Sequence, residues 1–355
     1  MQKESMTPRE RWEAVLNHKK PDRVPMDYNS TPEATNALLK YTGSSSLEEF
    51  FKKMHIDHPV SVGPEYIGPA LPENTNYFGV GMRDMPYAGG VYREFVSFPL
   101  ADFTSVEEIE RNYTFPAADW FDFTVLKKQT EGKLHRPVML GGTHYFIDYM
   151  RLRGDEQAYI DIIENPEIVD YCLTRLCEFY YEMTKRSFES LPPGAITMVS
   201  FGEDMGSEID LLMSRAHFRR FIWPHLKRVG DLVHECGAKV FVHSDGAIAK
   251  IIPDFIEMGA DILDPVQWRL PDMSPETLKE QYGGRLAFHG AIDNQRTMPY
   301  GTAEDVREEV RRNIAAFKED YVLGPCHAIQ PVSPPANTIA LYEEGWESGF
   351  FFCTS

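Results

Sequence analysis

The sequence predicts a (β/α)8 barrel, an α/β fold of parallel strands. Three observations carry this reading. Eight short apolar runs are spaced along the chain, helical patterns fill most of the gaps, and polar residues collect at the C-terminal ends of the later runs. Runs that are apolar throughout suit parallel strands buried on both faces. Strand–helix alternation repeated eight times favours a closed barrel, with an open doubly wound sheet as the alternative.

The predicted strands are residues 23–28, 59–62, 137–140, 197–201, 239–243, 261–265, 286–289 and 321–324. A helical extension precedes the first. It opens at Thr7-Pro8-Arg9-Glu10, where Thr7 suits the N-cap, Pro8 the first helical position and Glu10 the closing member of a capping box. Asn165-Pro166 starts a long helix reaching Phe188, Ser214 starts one that runs to Glu235 before Gly237, and Thr302 caps one ending at Phe317. The second and third strands are separated by a long insertion, residues 63–134, far beyond the usual connection length. Within it, residues 87–98 read as a hairpin. The insertion is expected to cover the barrel mouth, and residues 1–355 to form one barrel domain, because composition does not shift enough to favour a separate small domain.

The chain has 355 residues, 43% of them hydrophobic, which is ample for a large core. Its formal charge of −18 argues against nucleic-acid partners and anionic membranes. No apolar run approaches the roughly 20 residues of a membrane span. The opening Met1-Gln2-Lys3-Glu4-Ser5 has no apolar core of the kind that directs secretion. The five cysteines (Cys172, Cys177, Cys236, Cys326 and Cys353) form no dense framework, so the expected setting is a reducing cytoplasm. Cys172 and Cys177 read as packing residues, and Cys236 falls before the fifth strand, at the opposite end from the mouth.

In a parallel barrel, chemistry sits at the C-terminal strand ends. Glu203 and Asp204 follow the fourth strand, His243 and Asp245 close the fifth, and Asp264 closes the sixth. His289 closes the seventh with Asp293 just beyond, and Cys326 and His327 follow the eighth. In Val240-Phe241-Val242-His243-Ser244-Asp245-Gly246, the residues two apart point the same way, so His243 and Asp245 can grip one ion or substrate. The bland alternatives are a strand-end histidine and an aspartate capping a helix at Ala247. Cys326, in Gly324-Pro325-Cys326-His327, is either a thiolate or a buried inert thiol. Glu203 and Asp204 either bind a cation or substrate hydroxyls, or complement a helix dipole.

These segments resemble the uroporphyrinogen decarboxylase superfamily. The likeness lies in Phe241-Val242-His243-Ser244-Asp245-Gly246, Asp261-Ile262-Leu263-Asp264-Pro265-Val266-Gln267, Phe288-His289-Gly290-Ala291-Ile292-Asp293 and Gly324-Pro325-Cys326-His327-Ala328-Ile329-Gln330-Pro331. Pro8-Arg9-Glu10-Arg11-Trp12 and Pro21-Asp22-Arg23-Val24-Pro25 extend it to the opening of the chain. The resemblance implies the same barrel. True uroporphyrinogen decarboxylases carry an arginine-rich segment of the form Met-Arg-Gln-Ala-Gly-Arg after the first strand. Here that region reads Met26-Asp27-Tyr28-Asn29-Ser30-Thr31-Pro32, without the arginines that an acidic tetrapyrrole needs.

The zinc- and corrinoid-dependent methyltransferase branch is the closer match. Its metal sits on a His-x-Cys pair after the fifth strand and a Cys after the eighth. His243 and Cys326 fall on the first and last of these positions, and Asp245 replaces the middle cysteine. The resemblance then implies zinc on His243, Asp245 and Cys326, with Glu203 as the other candidate acidic ligand. Such a harder site suits oxygen activation. The expected activity is O-demethylation of a methoxylated aromatic: zinc polarises the ether oxygen, and the cobalt of a corrinoid on a partner protein takes the methyl group. His289, Asp204 or Tyr145 would assist the departing oxygen, and Asp264, Asp293 and His327 would contact substrate. The expected partners are a small-molecule methyl donor, a corrinoid protein and a second copy of the chain. The rivals are a cofactor-free tetrapyrrole decarboxylase and a non-catalytic corrinoid- or tetrapyrrole-binding protein.

Overall fold

The computed structural model describes residues 4–87 and 90–351. Met1, Gln2, Lys3 and Cys353 lie outside the described residues. The strands are β1 (Val60–Val62), β2 (Glu65–Tyr66), β3 (Gly81–Tyr87), β4 (Gly90–Ser97), β5 (Phe121–Asp122), β6 (Val138–Thr143), β7 (Met198–Gly202), β8 (Lys239–His243), β9 (Ile262–Asp264), β10 (Ala287–Ile292) and β11 (Tyr321–Pro325). The main sheet runs β1-β6-β7-β8-β9-β10-β11, with each neighbouring pair parallel.

Residues 24–28 complete the circle. Met26 bridges Leu323 in parallel, and Asp57 N–H donates to Met26 O at 2.7 Å. The chain therefore folds as a (β/α)8 barrel. The first predicted strand pairs at isolated points instead of along a ladder, and Pro25 supplies a physical reason: it accepts from Leu323 N–H at 2.9 Å but has no N–H to return.

The helix Pro8–Leu16 has the expected capping box of Thr7 and Glu10. It closes the N-terminal end of the barrel. There Trp12, Val15 and Leu16 pack with the inward-facing Met198, Phe241, Ile262, Ala287 and Val322. Trp12 also donates Nε1–H to Asp57 O at 3.0 Å. The helices Pro166–Ser190 and Ala303–Phe317 match their predicted extents closely. The helix expected from Ser214 to Glu235 is interrupted by a π-helical turn, Phe218–Ile222, just before Pro224. A proline inside a helix removes one ladder bond, and a local change of winding accommodates the loss.

The insertion holds β2, β5 and the antiparallel hairpin β3–β4. The hairpin begins earlier than expected, at Gly81, and Tyr87 pairs with Gly90. Arg151 stacks over Phe95, 4.6 Å from the ring centre. At the other end of the hairpin, Gly90 abuts Glu33 so closely that a Cβ there would strike the carboxyl group. Glu33 lies in the first turn of the helix Pro32–Thr42, which follows the first strand on the mouth side.

Candidate active site at the barrel mouth

Alternation along the strands builds this site. One inward step beyond the floor residues Phe241, Ile262 and Ala287 come His243, Asp264 and His289. Across the lumen, the corresponding positions on β1, β6 and β7 are small: Ser61, Gly141 and Ser200. Ser61 and Gly141 are solvent-exposed although they belong to central strands. The lumen is thus open on one side and polar on the other.

The polar side is a continuous chain of imidazoles and carboxylates. His243 Nδ1 lies 2.6 Å from Asp264 Oδ2, and His289 Nδ1 lies 2.5 Å from Asp264 Oδ1. His289 Nε2 lies 3.0 Å from Asp27 Oδ2, whose other oxygen lies 2.6 Å from His58 Nδ1. An ionised carboxylate only accepts, so His289 donates from both ring nitrogens and is held as a cation. Burial opposes that charge, but Asp264 and Asp27 outweigh it and raise the His289 pKa to about 10. Burial also works against ionised Asp264, yet the two imidazoles bring its pKa down to about 2. His243 is pushed up to about 9, with burial again opposing and Asp264, Asp245 and Asp204 prevailing.

The remaining nitrogen of His243 faces the mouth. Nε2 is 3.6 Å from Asp204 Oδ1 and 3.9 Å from Asp245 Oδ2. One ligand atom from each of these three residues lies within 4.8 Å of the other two, the spacing of a candidate metal site. The loops that carry them are tied together. Asp245 N–H donates to Asp204 Oδ1 at 3.1 Å, Gly206 N–H to Asp245 O at 3.1 Å, and Met205 N–H to Ser244 Oγ at 3.1 Å. No helix begins at Ala247, so Asp245 does not act as a cap there. Its Oδ1 is buried without a hydrogen-bond partner.

Cys326 does not join this group. Its Sγ donates to Val266 O at 3.2 Å, and burial together with Glu309, Asp293 and Asp264 pushes the thiol pKa well above its ordinary value. Glu203 is also engaged elsewhere. Its carboxylate accepts the backbone N–H groups of Tyr145 and Phe146 at the start of the helix Tyr145–Arg153. Tyr145 is buried, with its ring against those of Tyr180 and His225. Asp293 pairs with Arg269 and accepts from Gln295 N–H at 2.8 Å. The exposed His327 stands 6.5 Å from His243, ring centre to ring centre.

Beside Asp245 lies a cavity of about 270 Å³ lined by Gln267, Trp268, Arg269, Asn294, Cys326 and His327 among others. Gln267 accepts from Gly246 N–H at 2.5 Å and so fixes the Asp245 loop. Sequence reasoning missed Asp27, His58, Gln267 and Trp268. Asp27 obeys the same strand-end rule that singled out His243 and Asp264. His58 does not, because it precedes its strand.

No helix among the described residues is long and apolar enough to cross a membrane. The chain is similar in structure to a methyltransferase from Methanosarcina mazei, with a TM-score of 0.71 and 16% identity over 97% of this chain and 99% of that one. A B12-independent methionine synthase from a Shewanella species, solved in complex with selenomethionine, gives a TM-score of 0.47 and 12% identity over 92% and 97% of the two chains. No curated protein sequence matches the chain. The family model described as uroporphyrinogen decarboxylase (URO-D) matches residues 122–345. That match spans more than half of the sequence and all but the first two strands of the barrel, and the chain belongs to the uroporphyrinogen decarboxylase (URO-D) family.

Proposed function

We propose that this protein is a methyltransferase that takes a methyl group from a small methylated donor, with a methoxylated aromatic as the favoured class. The single observation that carries the reading is the mouth itself. Asp204, His243 and Asp245 converge on one point beside a cavity of about 270 Å³ that has Trp268 as an aromatic wall. The fold shared with the Methanosarcina methyltransferase supports it. The resemblance behind the reading makes a corrinoid on a partner protein the methyl acceptor, and the corrinoid supplies the cobalt that receives the methyl group. A second copy of the chain and a cytoplasmic setting belong to the same reading. So does a single barrel domain whose insertion, residues 63–134, covers the mouth.

The chain's own residues divide the work. Trp268 flanks the ring of the donor in the cavity. His327 hydrogen-bonds the oxygen that departs as the methyl carbon–oxygen bond breaks. Asp264 holds the His243 ring, and Ser61 and Gly141 leave the lumen open for the incoming acceptor. Zinc on His243, Asp245 and Cys326 does not fit the positions of the donors, because Cys326 Sγ is turned to Val266 O and lies outside the cluster of Asp204, His243 and Asp245. A tetrapyrrole decarboxylase is disfavoured by charge. The mouth sets the four carboxylates of Asp27, Asp204, Asp245 and Asp264 against the two imidazolium rings of His243 and His289, and Arg269 beside them is paired with Asp293. An acidic tetrapyrrole needs cations there.

The test is incubation of the purified protein with methoxylated aromatics and free cob(I)alamin, followed by the visible spectrum of the cobalamin and chromatography of the phenol. Methylcobalamin and phenol formed in equal amounts are the expected result. Uroporphyrinogen turnover without methyl transfer would overturn the reading.

A further inference from the structure

We infer that the mouth holds an oxygen-preferring, octahedral divalent cation such as Mn²⁺ or Fe²⁺ on Asp204, His243 and Asp245, with Cys326 outside the coordination sphere. The inference rests on the mouth being a metal site and not on the identity of the reaction, so it can fail while the methyl-transfer reading stands, and the reverse.

Four observations lead to it. The donor set is one imidazole and two carboxylates. Such a set suits Mn²⁺, Fe²⁺ and Mg²⁺, whereas thiolate-rich tetrahedral sets select zinc. Two carboxylates also neutralise a divalent charge. The spacing fits next. An ion about 2.1 Å from its ligands sets neighbouring ligand atoms about 3 Å apart and opposite ones about 4 Å apart. The gaps of 3.6 and 3.9 Å from His243 Nε2 lie between those values, so small side-chain rotations close the site.

The histidine is oriented for the task. Its Nδ1 is spent on Asp264, which leaves Nε2 to face the two carboxylates, the usual way a carboxylate fixes a metal-binding ring. Finally, Asp245 Oδ1 is buried with no partner, an unmet acceptor within the cluster. Asp204 is nearly half exposed, which keeps one side open for water or substrate. Against this, Cys326 points to Val266 O from a buried position with acidic neighbours. A thiolate ligand is disfavoured there, so the cluster offers only nitrogen and oxygen donors.

The decisive experiment uses the full-length protein freed of metal by chelation. Mn²⁺ titration followed by the EPR signal of the free ion should show one tight site per chain. Cys326→Ser should bind Mn²⁺ within about 2-fold of the unmodified protein, while Asp204→Asn and Asp245→Asn should each lose at least the roughly 10-fold that loss of a mere outer partner of a ligand costs. Circular dichroism checks that every variant is folded. Loading with Co²⁺ adds a spectroscopic readout, since a thiolate ligand produces a near-ultraviolet sulfur-to-cobalt band. Absence of that band is expected. A band that Cys326→Ser abolishes would overturn the inference, as would failure of the unmodified protein to bind Mn²⁺.

Discussion

The Nδ1 atom of His243 lies 2.6 Å from Oδ2 of Asp264, and this one bond determines which ring nitrogen looks into the barrel mouth. Asp264 is fully committed, because its other oxygen is held by His289 at 2.5 Å. Asp264→Asn should therefore free the ring of His243 to turn and change tautomer. Metal affinity at the mouth is expected to fall roughly 10–100-fold, as for loss of an outer carboxylate behind a ligating histidine. Equilibrium titration with Mn²⁺ and with Zn²⁺ checks it. An affinity unchanged in both would show that Asp264 does not orient the ring.

His289 makes stability depend on pH. Its pKa rises from 6.5 to about 10 on folding, so its contribution is fully present below pH 6.5 and disappears as the pH climbs through about 10. Its side chain is only 6% exposed, so solvent screening does little to reduce the effect, which is on the order of a few kcal/mol. Urea unfolding at pH 6.5, 8 and 10 should show a decline that is steeper in the unmodified protein than in His289→Gln. Parallel curves would mean that the ring is not held as a cation.

These two residues show how far the sequence could be read. His243, Asp264 and His289 were legible because each ends an apolar run, and a parallel barrel brings those ends together. Asp245 was legible as the residue two beyond His243 on the same face. What the sequence could not show is rotation of side chains that share a mouth. Cys326 and Asp204 both follow strand ends. The thiol is spent on the Val266 carbonyl, while the carboxylate joins His243. Glu203 and Asp204 are adjacent, so they point apart, and the helix Tyr145–Arg153 takes the former. His58 lies at the wrong end of its strand for the rule that found the others, yet its Nδ1 stands 2.6 Å from Asp27 Oδ1. The closing strand was found in the right place, but Pro25 keeps it from forming a ladder.

The barrel floor makes a prediction about stability. Trp12 is completely buried, comes from the helix that precedes the barrel, and belongs to one apolar cluster with residues of five strands. Trp12→Ala removes this packing and the bond to Asp57 O, and it should cost about 3–5 kcal/mol. Urea unfolding near neutral pH measures the loss. A cost below about 1 kcal/mol would mean that the floor collapses to fill the space, or that the N-terminal helix does not seal the barrel.

Gly246 is the tight point between the two loops that carry the carboxylates. Its φ of +98° lies where a side chain is strained, and a Cβ there would sit 2.2 Å from the carbonyl carbon of Gly206. The neighbour is backbone, so it cannot swing aside as a flexible side chain would. Gly246→Ala must push the Asp204 and Asp245 loops apart, at a cost of about 1–3 kcal/mol in backbone strain. Because Asp245 N–H holds Asp204 Oδ1 across this junction, the displacement should be felt at the metal ligands more than in the rest of the barrel. The expected outcome is a folded protein whose Mn²⁺ affinity is at least about 10-fold weaker, as for other losses of ligand orientation. Calorimetric titration beside circular dichroism separates the two effects. Full metal affinity in the folded variant would show that the junction between Gly206 and Gly246 does not set the ligand positions.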